Sequence, residues 1–388
     1  MIHTTAIKRF SVYQLVEVAL LIAATSLCSA GIGYNTLLFP VHLEQLSFGE
    51  PVIGFILSCE IVSVLAVALK VNHILGRLGL FRTILFASLV RSVAVFGLGL
   101  NSNILFWCFS VFCLGISTYL VLISLQTWIN CLDLGHLRGL IVGLYSSALS
   151  LGTALGPIAA GSIGVDGTSI PFGISSTLVL SVILIVLPLV SSVPHFRADS
   201  MPRIFYAIRM AKVPMFSSLV GGITFYGLPA FLALYGMING FGLFQASTLL
   251  MSFMLGSVFI GPLVSSLAEI INRQILNIIC VLVGVLCAIY LPLAIYSYTL
   301  SLLLLFVWGG SAGGIYAASL ASVGDLFRQE DQISANVAYS ILDNVGGTTG
   351  VFVIGLLLGL GIKDAISFVV TLAALSYYVF IVSEAITD

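Results

Sequence analysis

Long apolar runs separated by short polar turns fill the chain from about residue 14 to residue 384. A bilayer core of about 30 Å is crossed by about 20 apolar residues in a helix. Cutting the runs at charges and turn residues leaves twelve segments: 14–40, 51–70, 80–100, 103–130, 138–164, 169–193, 214–238, 243–267, 274–295, 299–324, 332–361 and 364–384. The narrowest divisions fall at Asn101 and Lys363. The first run follows Lys8-Arg9, as in a secretory signal. It continues to Pro40, well past the roughly 7–15 apolar residues of a signal core, and reads as an uncleaved span. The longest polar connection, Pro194 to Lys212, lies near mid-chain. It divides a first six-helix half (1–193) from a second (214–388), with a cytoplasmic linker over 194–213. Ile204, Phe205 and Ile208 with the neighbouring basic residues fit either a short helix on the inner leaflet or a plain connection.

Composition turns the pattern into a class. Hydrophobic residues make up 60% of the chain and charged ones 7%, with a mean hydropathy of +1.18. Soluble domains carry about 25% charged residues, so the expected fold is an all-α polytopic membrane protein. Placement of charge sets the orientation. With the N-terminus inside, twelve of the fourteen Lys and Arg residues fall in inner loops, Lys363 alone lies outside, and Arg91 is within the third span. The positive-inside rule then puts both termini in the cytoplasm, in a bacterial inner membrane. A net charge of −1 offers no basic surface for nucleic acid. The seven cysteines lie in or beside apolar runs without C-x-x-C spacing and read as small core residues.

The fifth and eleventh runs repeat each other. Tyr145-Ser146, Gly152 and Gly156 recur as Tyr339-Ser340, Gly346 and Gly350, at an offset of 194. Arg82-Thr-Ile-Leu is echoed by Arg273-Gln-Ile-Leu. Two homologous six-helix halves are expected, related by an axis along the membrane normal. In this the chain resembles the major facilitator superfamily of secondary transporters. Gly143, Gly152, Gly156, Pro157 and Gly161 match the exporter-associated signature of that superfamily's fifth helix, with Ala160 in place of one glycine. The family's loop between helices two and three is kept in Arg77, Gly79 and a delayed Arg82, but Gly76 and, in the second half, Ala268 stand where an aspartate is usual. That departure puts the usual cytoplasmic gating network in doubt. The tract LQTWIN, Leu125 to Asn130, looks like the YcaD-like branch of bacterial permeases, with Gln126 where a glutamate is common.

Charges in lipid cost a few kcal/mol each, so the few within spans are candidates for function. Glu17 lies near the inner end of the first span and reads as interfacial. Glu60 and Arg91 both fall about ten residues from the inner ends of consecutive helices, so an ion pair is expected between them. It is either structural or a proton site opened when Arg91 lets go. Asp343, about eleven residues into the eleventh span, has no basic neighbour at its depth other than Arg91. It is either a proton-coupling carboxylate or a neutral group beside Asn344. The resemblance implies that helices one, four, seven and ten line a central cavity. The mid-depth residues there are Thr25, Ser29, Ile116, Tyr119, Tyr226 and the run Trp308 to Tyr316, and Gln126 is a further cavity candidate. A small uncharged, amphipathic or cationic substrate follows from their chemistry, and helix packing is the competing account of each aromatic.

No H-E-x-x-H, P-loop or paired-aspartate motif is present, and no histidines are spaced as metal ligands. The expectation is a transporter with neither cofactor nor metal, working as a monomer by alternating access, coupled to protons and directed toward export. A nutrient importer or facilitator of the same fold, and a non-transporting lipid-handling or assembly protein, are the alternatives.

Overall fold

With no water in the hydrocarbon core to take up backbone N–H and C=O groups, an apolar run satisfies them within its own helix. The computed structural model describes residues 12–68, 70–132, 138–165, 169–194, 204–267, 270–327 and 329–387, and no strand occurs among them. Helices α1 (Val12–Gln45), α2 (Glu50–Ala68), α3 (Val71–Leu78), α4 (Leu80–Leu98), α5 (Ile104–Cys131), α6 (Arg138–Ile163) and α7 (Ile170–Val186) form the first half. The second half holds α8 (Ile204–Met210), α9 (Lys212–Gly222), α10 (Leu228–Ile238), α11 (Leu243–Leu267), α12 (Arg273–Ala294), α13 (Tyr298–Leu326), α14 (Gln329–Gly359) and α15 (Ala365–Thr387).

A π-turn, Ile223–Gly227, joins α9 to α10, so the three form one interrupted span. Among the described residues, apart from the short α3 and α8, the helices make twelve crossings, as the apolar runs predict. Eleven are long and apolar enough to span a bilayer, and the twelfth is the glycine- and serine-rich α6.

Local chemistry explains the short turns. Asn103 caps α5, its side chain accepting from Leu105 N at 2.9 Å, and the Trp107 indole donates to Asn101 O at 2.8 Å. Gly79, the glycine of the loop motif, has φ +77° and donates its N–H to Leu75 O as α3 turns into α4, a conformation L side chains rarely adopt. Arg77 and Arg82 beside it are exposed, as is Gly76 within α3. Ala268 lies outside the described residues. In the linker, α8 forms with Ala207 buried and Ile204 and Ile208 packed toward α14, while Phe205 points outward.

The halves repeat in detail. The Tyr145 hydroxyl donates to Leu122 O at 3.4 Å, and Tyr339 donates to Tyr316 O at the same length. In one half α6 packs on α1, and in the other α14 packs on α9 and the π-turn. Between halves, α6 meets α11 and α2 meets α14. The close approaches lie toward the end of the bundle away from the chain termini. A Cβ on Gly161 would strike Ser247, one on Gly54 would come within 2.9 Å of Val351 O, and one on Gly359 would strike Pro51. Ser58 adds a long hydrogen bond to Thr348 O, 3.4 Å.

The four glycines of the repeated spans sit at close approaches between helices. A Cβ on Gly152 or Gly156 would run into the α1 backbone at Ser26 and Ala30, and one on Gly346 or Gly350 into the backbone at Leu219 and Ile223. Gly143 faces open space on another side of α6, and Pro157 lies against Gly33.

Candidate substrate cavity

Between the halves lies a cavity of about 440 Å³. Its walls come from α1 (Ile32, Asn35, Thr36, Phe39, Pro40), α2 (Leu57, Glu60, Ile61, Val64), α5 (Gly115, Thr118, Tyr119, Leu122) and α6 (Thr153). The second half adds Phe225, Tyr226, Pro229 and Ala230 of the seventh span, Met254 of α11, Tyr316 of α13, and Ser340, Asp343, Asn344 and Val351 of α14. Each half thus contributes one carboxylate, Glu60 from the first and Asp343 from the second.

Close packing places both acids. Glu60 sits where α2 and α5 nearly touch: a Cβ on Gly115 would overlap Glu60 O, which also accepts from Ser63 Oγ at 2.6 Å. Asp343 sits where α9 and α14 nearly touch, because Gly222 has no side chain to strike Asp343 O or, at 2.8 Å, Gly347 N. One residue further along α9 the helix widens into the π-turn. Pro229 supplies a reason, since proline lacks an N–H and its ring crowds the carbonyl four residues earlier, here Phe225. The turn carries Tyr226, whose ring lies over the bare Gly347 and whose hydroxyl donates to Asp343 Oδ2 at 3.4 Å. Neighbouring Asn344 donates to Ser340 O at 2.7 Å and leaves the carboxylate to Tyr226. Tyr316 and Glu60 are within electrostatic range of the same tyrosine.

Several residues chosen by depth do not face this space. Thr25 and Ser29 are fully buried, their hydroxyls donating to Leu21 O and Thr25 O within α1. Ser29 lies against Gly152 in the α1–α6 packing. Trp308 is buried edge-on against Phe253. Gln126 is exposed near the inner end of α5. Tyr119, Tyr226 and Tyr316 do line the cavity, together with Asp343 and Glu60.

The expected Glu60–Arg91 ion pair is not formed. Arg91 is 1% exposed, outside the cavity, and donates from Nη1 to Cys28 Sγ at 3.2 Å. Gly31 makes room for its other amine. An ion pair does join Lys212 to Glu384, at 3.6 Å. Arg91 still acts on Glu60 electrostatically. Nor is Glu17 interfacial: it is buried and accepts from the Trp128 indole at 3.0 Å, Trp128 being part of the LQTWIN tract. His42 lies within α1, stacked on Trp107 and edge-on to Phe172. All seven cysteines are free thiols.

Polar residues missed by the sequence reading include Asn35, Thr36 and Thr118. Asn35, an amide inside an apolar run, was the available signal. It accepts from Ser175 Oγ at 2.6 Å, tying α1 to α7 beside the cavity.

Comparison with known proteins agrees with this architecture. Residues 20–351 match the family model of the Major Facilitator Superfamily. The MFS-type transporter YcaD of Salmonella enteritidis is 21% identical over 338 residues, 86% of each chain. Among solved structures, a bacterial homologue of the human lysosomal transporter Spinster, inward-facing and unoccupied, superposes with a TM-score of 0.75 at 13% identity over 96% of both chains. A point mutant of the nucleoside transporter NupG gives 0.79 at 13% identity, over 95% of this chain and 99% of that one.

Proposed function

The chain belongs to the Major Facilitator Superfamily, a family of transporters rather than enzymes, and from that premise we propose that it is a proton-coupled exporter of a small molecule. It works by alternating access, the two halves rocking about the central cavity. The observation that carries this reading is the pair of cavity carboxylates on opposite halves, with Asp343 held only by a long bond from Tyr226. A carboxylate so placed has no cation to fix its charge, and its protonation follows whichever side supplies water.

The bundle sits in the bacterial inner membrane with both termini cytoplasmic, and one copy suffices. In that orientation, the close approaches at the outer ends of α2, α6, α11 and α14 seal the outer side. The cavity is then poised to receive substrate from the cytoplasm, the side from which an exporter loads. Glu60 is the second proton-carrying group.

The test is efflux of a candidate substrate from cells or vesicles under an imposed proton gradient, with wild type and Asp343→Asn. Wild-type efflux follows the gradient, and the variant loses that dependence. A variant that keeps it removes Asp343 from coupling, and uptake indifferent to a protonophore makes the protein a facilitator instead.

A further inference from the structure

We propose that the cavity binds a lipophilic organic cation, its positive charge lodged between Glu60 of α2 and Asp343 of α14 and its apolar body against the surrounding aromatic rings. This rests on the transporter reading above and adds the substrate class.

The charge inventory of the walls comes first. Among the described residues, two carboxylates line the cavity, and no lysine, arginine or histidine does. Arg91, which acts on Glu60 electrostatically, is turned away toward Cys28. Among the described residues, the Glu60 carboxylate makes no hydrogen bond and no ion pair within 4 Å. An anion would face two like charges in a medium of low dielectric, where repulsion is several times stronger than in water. A neutral guest would leave each carboxylate either charged and uncompensated or held neutral by a proton, which a cation can replace. A cation removes both penalties.

The walls also choose between kinds of cation. Phe39, Tyr119, Phe225, Tyr226 and Tyr316 present aromatic groups to the space, and ring faces attract cations once water is excluded. Strongly hydrated ammonium ions need many acceptors to replace their water. The rest of the lining is mostly Ile, Leu, Val, Met, Ala and Pro, which suits a weakly hydrated, bulky cation with hydrocarbon around the charge. A cavity of about 440 Å³ lies within the range of small-molecule sites. The hydroxyl of Thr118, buried at the wall without a hydrogen-bond partner, is a further polar group left for a guest to meet. Because the two acids belong to different halves, a cation between them joins the halves at the cavity itself.

Equilibrium binding to the purified full-length protein tests this, using methyltriphenylphosphonium and triphenylphosphine oxide, which share the triphenyl body but differ in charge. The cation is expected to bind about tenfold or more tightly than the oxide. Glu60→Gln and Asp343→Asn should each weaken the cation by about tenfold while changing the oxide by less than about twofold. A melting curve for each variant separates loss of the site from loss of the fold. Equal affinity for the two compounds, no measurable binding of either, or variants that weaken both alike overturns the proposal. No gradient enters this assay. Cation preference without gradient-driven efflux would sink proton coupling alone, and gradient-driven efflux without cation preference would sink the substrate class alone.

Discussion

Gly152 and Gly156 of α6 rest on the α1 backbone at Ser26 and Ala30, while Gly346 and Gly350 of α14 rest on the seventh span at Leu219 and Ile223. The offset of 194 that relates these glycines also carries Leu122 onto Tyr316, Leu149 onto Asp343 and Thr153 onto Gly347. Between the partner helices the offset is 193, and it carries Gly33 onto Tyr226. The contacts follow the numbering. Gly33 accommodates the backbone of Thr153 in the first half, and Gly347 accommodates the ring of Tyr226 in the second. Bulk and bareness have changed places across one seam. The first-half seam runs through an uninterrupted α1, whereas the second passes a π-turn that brings a phenol to a carboxylate. The same glycine packing therefore carries no carboxylate at the α1–α6 seam and one, Asp343, at the seam of the second half. The repeat supplies the frame, and the departures from it supply the polar chemistry.

If the frame is shared, breaking it should hurt both halves alike. Gly152→Leu and Gly346→Leu each push a side chain into a neighbouring backbone, and each should cost on the order of 3 kcal/mol or more. Membrane yield and melting temperature of the purified variants measure this. One variant tolerated and the other not would show that the two seams differ in packing as well as in chemistry.

Exchanging the residues that differ probes the other side of the comparison. Asp343→Leu copies the first half into the second. It removes a membrane-embedded carboxylate, so the melting temperature should hold or rise, while gradient-driven transport is lost. Leu149→Asp makes the reverse change and gains no tyrosine partner, since Gly33 stands where Tyr226 would be. It should cost about 2.5–3.5 kcal/mol, the insertion penalty of an acid at mid-membrane, without creating a second coupling site. Transport that survives Asp343→Leu would move the chemistry to Glu60.

The twelve crossings, the repeat and the glycine seams were legible because lipid imposes length and close packing imposes small residues, and both leave marks in the order of residues. Glu60 and Asp343 read at one level in the sequence, and both line the cavity. On α1 the level itself was misread. A helix turns about 100° and rises about 1.5 Å per residue, so Thr36 lies within about 20° of Thr25 and Ser29 around α1 but about 10–17 Å further along it. Ser29 meets α6 there, whereas Thr36 and Asn35 reach the cavity. Direction was hidden as well, because a span apolar on every side carries no stripe from which its inward face can be read. Arg91 reads level with Glu60, but its side chain leads to Cys28. The π-turn was foreshadowed by Gly221, Gly222, Gly227 and Pro229, but breakers do not say which way a helix opens.

The smallest expected effect concerns the phenol itself. At 3.4 Å the Tyr226–Asp343 contact is longer than the usual O–H···O range of about 2.5–3.0 Å. Tyr226→Phe keeps the ring that covers Gly347 and removes only the donor, so stability should change by less than about 1 kcal/mol. Transport should fall by no more than about fivefold, a change of that same size in free energy. A loss as complete as that of Asp343→Leu would mean that the carboxylate works only when the hydroxyl meets it. The functional difference between the halves would then lie in the Tyr226–Asp343 pair, Gly33 and Leu149 in the first half, rather than in the single exchange of Leu149 for Asp343.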